Sequence, residues 1–251
     1  TRKKTNTFGA LRLEWAFSIF SMTAITVGTD AFAVAPLASS YLGLGEDCCG
    51  EDPHPVHGIS TSDGGYVLVG KSGDASGSTD GFVLKLKARP GALNAWVDAQ
   101  SFQNGEWAVA QGTRGRLDGM NNVAETIGGH LIGVGYEAGI DGQVHRYWAN
   151  YDIQTGAKRW EAQIPSPQAN KDSAFESLSP TPDGGIVVTG VLNAAGGSFE
   201  GFKSYGNPVD GQAFVAFYSA TQLGGSSAPS EPLWETVIPN AMSGKAVHPL
   251  P

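Results

Sequence analysis

FESLSPTPDGGIVVTG, running from Phe175 to Gly190, holds a tight turn followed by a short β-branched run that ends on glycine. The same order of features recurs in GISTSDGGYVLVG (Gly58 to Gly70) and NNVAETIGGHLIGVG (Asn121 to Gly135). Asp63-Gly64-Gly65 and Asp183-Gly184-Gly185 supply residues that tolerate positive φ, as a two-residue hairpin turn requires. Ile127-Gly128-Gly129 stands in that place in the degenerate middle copy. The runs after each turn, YVLVG, HLIGVG and IVVTG, read as buried inner strands.

The likeness extends outward. A second Asp-Gly pair opens the next strand in each copy: Asp80-Gly81, Asp141-Gly142 and Asp210-Gly211. A further turn leads to a strand carrying a tryptophan, predicted as Trp96 in PGALNAWVDAQ (Pro90 to Gln100), Trp160 and Trp234. Each copy therefore reads as a four-stranded meander, spanning about residues 53–100, 118–165 and 172–240. Such a sheet cannot bury both faces alone and must stack on others of its kind. The expected fold is all-β, a β-propeller of three recognisable blades in an incomplete ring, with the tryptophans wedged between blades.

Composition agrees with many short strands. The 251 residues include 35 Gly and 14 Pro and only 16% charged side chains. A net charge of -8 argues against nucleic-acid binding, which needs a basic face. No run of about 20 apolar residues predicts a transmembrane helix.

Residues 1–35 differ from the rest. Arg2, Lys3, Lys4 and Arg12 precede the apolar run Trp15 to Val27, and AFAVA (Ala31 to Ala35) offers an A-x-A exit. These are the parts of a secretory signal, with Glu14 at the edge of the apolar run. They predict export to the periplasm, cell surface or medium; the alternative is an ordinary buried first strand or helix.

In the second copy, YDIQTGAKRW (Tyr151 to Trp160) is similar to the D-x-x-T-G-x-x-x-W docking pattern of quinoprotein dehydrogenase blades, matching at Asp152, Thr155, Gly156 and Trp160. The repeat as a whole resembles those of secreted bacterial-type β-propellers. The first and third copies depart from the docking pattern. Under the quinoprotein alternative, the resemblance implies an oxidoreductase with pyrroloquinoline quinone (PQQ) and Ca²⁺, and it places the adjacent Cys48 and Cys49 against the cofactor. Those two cysteines can form a vicinal disulfide, stay free, or link to cysteines elsewhere in a longer protein.

Other chemistry is sparse. Glu46, Asp47, Glu51 and Asp52 offer hard oxygens without the spacing of a known calcium loop. Five scattered histidines carry no zinc motif, and no nucleophile elbow or phosphate loop is present. Glu46 with Glu51, or Glu125 with Glu176, are the acid pairs available for acid–base work. Tyr147, Trp148 and Tyr151 offer a sugar platform or, alternating in a strand, core packing.

The expected function is non-catalytic binding or scaffolding in an exported protein with no cofactor, the partner being a protein or glycan met by loops on one face. A quinoprotein-like oxidoreductase and a carbohydrate-binding propeller are the alternatives. Three blades do not close a ring, so further blades or self-association are expected. Residues 13–45 read as a degenerate fourth blade, and 244–251, with Ala246 to Leu250, as the start of another first strand.

Overall fold

The structure is a computed structural model that describes residues 52–73, 79–86, 105–112, 116–195 and 210–248. The segment 1–35, the acidic loop with Cys48 and Cys49, and Trp96 lie outside the described residues. The fold is nearly all β: three antiparallel four-stranded sheets, each pairing its strands in chain order. The first sheet holds β1 (Asp52–Ser60), β2 (Tyr66–Gly73), β3 (Thr79–Leu86) and β4 (Gly105–Gln111). The second holds β5 (Asp118–Glu125), β6 (Leu131–Ala138), β7 (Val144–Tyr151) and β8 (Lys158–Ile164). The third holds β9 (Asp172–Pro180), β10 (Ile186–Ala194), β11 (Gln212–Tyr218) and β12 (Trp234–Val237), with a one-turn helix α1 (Ala220–Leu223) before β12.

The D-G-G segments do sit between the first and second strands, but in three-residue loops. Thr61 N–H donates to the Gly65 carbonyl and Gly64 N–H to the Thr61 carbonyl, both at 2.9 Å. Thr126 with Gly129 and His130, and Thr181 with Gly184 and Gly185, repeat that pattern. Gly64, Gly129 and Gly184 close these turns at φ 83, 73 and 87°, the left-handed position of a three-residue hairpin. In the middle copy the equivalent of Asp63 is thus Gly128, one place later than the sequence alignment puts it. Asp63 itself is bound into the first sheet: its carboxylate lies 2.6 Å from the fully buried Lys85 Nζ. Hydrogen bonding from Lys85 and Thr61 holds its pKa down at about 2.

Register makes the three sheets superimposable on paper. Gly70, Gly135 and Gly190 pair with Phe82, Tyr147 and Phe214. Three pairs further along, Lys85, Asn150 and Phe217 pair with Trp107, Trp160 and Trp234. The repeated tryptophan of the first sheet is therefore Trp107 and not Trp96, and its fourth strand is Gly105–Gln111. The second Asp-Gly pairs are not equivalent to one another. Asp80-Gly81 lies inside β3, Asp141-Gly142 in a hairpin loop, and Asp210-Gly211 just before β11.

The sheets stack in chain order, with β5 across β1, β2 and β3, and β9 across β5, β6 and β7. One apolar cluster joins Val67, Val69 and Val83 to Met120, Val123, Leu131 and Tyr147. Another joins Ile132, Val134, Trp148 and Trp160 to Phe175, Ile186, Val188 and Phe214. β7 is buried on both faces, its odd-numbered aromatics toward the first sheet and Trp148 toward the third. Burying each such aromatic contributes about 1.5–3 kcal/mol. Tyr147, Trp148 and Tyr151 are accordingly core residues, which settles their sequence alternative in favour of packing.

Two of the repeated indoles also latch onto the following sheet. Trp107 Nε1 donates to the Ile153 carbonyl at 3.1 Å, and Trp160 Nε1 to the Leu223 carbonyl at 3.2 Å. Gly156 (φ 72°) faces the Trp107 ring so closely that an added Cβ would stand 2.6 Å from its carbons. Asp152 shapes that loop by accepting from Gln154 N–H, Thr155 N–H and the Thr155 hydroxyl. Gly142 has the same backbone sign (φ 77°) but open space around its would-be Cβ. Gly142→Ala should therefore cost about 1 kcal/mol of left-handed strain, and Gly156→Ala about 2–4 kcal/mol because strain and collision add. Urea unfolding of the two variants checks this, equal losses counting against the docking role of Gly156.

Candidate functional site

Opposite each of the repeated glycines the ladder slips by one residue. Register shifts between Pro55 and His57 and between Met120 and Asn122 leave Val56 and Asn121 unpaired. In the third sheet Gly190 pairs with Phe175 and Thr189 with Ser177, so Glu176 is skipped. These are β-bulges at one equivalent point in three first strands, and a bulge re-aims the side chain it carries. The glycine is needed there. A Cβ on Gly135 would lie 1.9 Å from the Gly119 carbonyl oxygen, and one on Gly190 2.0 Å from that of Ala174.

All three bulge residues line a single cavity of about 940 Å³. Its wall is made of β1, β5 and β9, the first strands of the three sheets, together with Lys245 to His248. This last segment, expected to begin another strand, is irregular over 243–248. It is held by Gly244 N–H donating to the Gly190 carbonyl at 2.9 Å. Lys245 Nζ then reaches Glu176 Oε1 at 3.1 Å. Gly190 thus makes room for the bulge and anchors the segment that neutralises the bulge's charge.

The cavity is polar and unevenly satisfied. Asn121 Nδ2 donates to the Phe175 carbonyl at 2.8 Å and Asn122 Nδ2 to the Ser177 hydroxyl at 3.2 Å, so neighbouring first strands are stitched together. Glu125 accepts from Ser62 N–H at 2.7 Å and from the Ser62 hydroxyl. Two buried wall atoms, Asn122 Oδ1 and His57 Nδ1, have no hydrogen-bond partner. Burial pushes the His57 pKa down, so its ring is neutral at pH 7. Burial raises the pKa of Glu176, and Lys245 opposes it only in part.

The structure brings Glu125 and Glu176, one of the acid pairs named from sequence, to the same cavity. Glu46, Asp47 and Glu51 lie outside the described residues, as do the side chains of Asp52 and His54. Among the described residues no cluster of His, Cys, Asp or Glu is arranged to hold a metal ion. No helix among them is long and apolar enough to cross a membrane. Sequence reading missed His57, Asn121, Asn122 and Lys245. The signal that locates them is the glycine ending each second strand, since the bulge sits opposite it. No protein-family model matches the chain, and no curated protein matches it.

Since burial disfavours the ionised form of Glu176, its folded pKa lies above its unfolded one. The stability linked to this group is present at low pH and is lost as pH rises through the raised pKa. Glu176→Gln should then melt higher than the parent at pH 7.5, with the gain disappearing near pH 4. Thermal denaturation of both proteins across that range tests it, and a variant that melts lower at pH 7.5 would show the Lys245 pair to dominate.

Proposed function

We propose that this chain is a non-catalytic binding module built from β-propeller blades, whose ligand enters the cavity ringed by the first strands. The observation that carries the reading is the bulge repeated at Val56, Asn121 and Glu176, which directs one side chain per sheet to a shared space. In-order stacking of four-stranded sheets, with an indole of one docked on the next, supports the propeller architecture. The basic start, apolar run and A-x-A exit of residues 1–35 support export.

The wall chemistry favours a hydroxyl-rich ligand. Glu125 and Glu176 accept hydrogen bonds, Lys245 donates, and Asn122 Oδ1 and His57 Nδ1 stand without partners at the wall. A saccharide offers many paired donors and acceptors and fits a space of this size. Acid–base catalysis is not part of the reading, because Glu125 is engaged by Ser62 and Glu176 by Lys245.

The test is a panel of mono- and disaccharides at millimolar concentration, read by thermal shift and by amide chemical shifts. At least one sugar should raise the melting temperature and move the amides of residues 121–126 and 176–179. Asn122→Ala should weaken that sugar's binding by about tenfold, the equivalent of one lost hydrogen bond to a buried acceptor. Absence of any shift across the panel, or shifts confined to loops away from the cavity, would overturn the proposal.

A further inference from the structure

Donors and acceptors are out of balance at the cavity wall. The side-chain amide nitrogens of Asn121 and Asn122 are engaged by the Phe175 carbonyl and the Ser177 hydroxyl. Asn122 Oδ1 and His57 Nδ1 stand at the same wall with no hydrogen-bond partner. The first is an acceptor, and the second is one in the Nε2–H tautomer of the neutral ring. Two carboxylates, Glu125 and Glu176, line the cavity against one ammonium, that of Lys245. The chain supplies this ammonium itself, from the irregular segment 243–248. Lys245 Nζ lies 3.1 Å from Glu176 Oε1, and its side chain is 50% exposed against 10% for that of Glu176. Lys71, fully buried in β2, acts on the same carboxylate from the first sheet. Burial raises the pKa of Glu176, while Lys245 and then Lys71 lower it. Of the two cations, Lys245 is the one that can leave without unpacking a sheet.

We propose that Lys245 fills a subsite for a ligand's primary ammonium, which replaces it on Glu176 when an amine-bearing saccharide enters the cavity. The proposal rests on the saccharide reading above and narrows it to amino sugars. Exchange keeps one ammonium on the largely buried carboxylate, so Glu176 is never left as an uncompensated charge. An ammonium has three donors and no acceptor, which complements a wall richer in acceptors. Asn122 Oδ1 and His57 Nδ1 remain for the ring hydroxyls. Lys245, already half in water, completes its hydration on leaving.

Calorimetric titration of the full chain at pH 7 with glucosamine, N-acetylglucosamine and glucose tests it, with butylamine as an amine that carries no sugar. Glucosamine should bind about tenfold more tightly than the other two sugars, the worth of one charge-assisted hydrogen bond. It should also shift the backbone amides of residues 244–248. Lys245→Ala, on an exposed irregular position, should fold like the parent and bind glucosamine several-fold more tightly, because the resident ammonium is gone. Glu176→Gln should bring glucosamine down to the affinity of glucose. Glucosamine that binds no tighter than glucose would overturn the ammonium subsite and leave the saccharide reading standing. Weaker glucosamine binding by Lys245→Ala would overturn it as well, by making Lys245 part of the ligand's own site. Butylamine bound in a Glu176-dependent way, with no sugar bound, would keep the subsite and overturn the saccharide reading. No binding of any of the four would overturn both.

Discussion

The stack depends on an indole of one sheet lying on a loop of the next. A four-stranded sheet has two faces and can cover neither by itself, so its stability comes from neighbours. Trp107 and Trp160 meet that need twice over. Each adds a large apolar area to the joint between sheets, and each donates a hydrogen bond to a carbonyl of the following sheet. The receiving loop must be shaped for this. Asp152 folds it by accepting three hydrogen bonds, and Gly156 removes the side chain that would stand where the ring lies.

A second constraint converts packing into a site. The carbonyls of Gly119 and Ala174 press so closely on Gly135 and Gly190 that no side chain fits there. That closeness accompanies the bulge in the facing first strand. The bulge residue leaves the alternation of the strand, and its side chain is released from packing duty. Stacking the sheets in order then brings three released side chains to one cavity. Glycines that look like ordinary strand ends in the sequence are thus the reason the cavity has a chemical lining.

The all-β class, the three four-stranded units and two of the three turn positions were legible because turn glycines and β-branched runs report local backbone needs. The first sheet's fourth strand was not. NAWVDAQ and GEWAVAQ have the same apolar rhythm, and Trp96 stands at nearly the same distance from its third strand as Trp160 does. Only pairing of Lys85 with Trp107 separates them, and pairing is a non-local property. The one-place slip in the middle copy has a similar origin. IGGH conceals that Gly129, and not Gly128, takes the left-handed backbone. The site was half legible. Glu125 and Glu176 were named as carboxylates, but nothing in their spacing shows that two first strands meet.

Separation of duties follows from this arrangement. Residues that hold the sheets together, such as Trp107 and Trp160, lie away from the cavity or face the joints. Residues that define the cavity stand at bulges, where the three sheets carry valine, asparagine and glutamate on the same backbone. The fold tolerates all three types at that point because none of them is asked to fill a core. Glu176 shows the cost of such freedom: a largely buried carboxylate whose charge burial disfavours, kept by one exposed lysine on an irregular segment. A buried charge held so lightly contributes little to folding. Under the proposed binding function, its place at the cavity wall is chemistry available to a ligand.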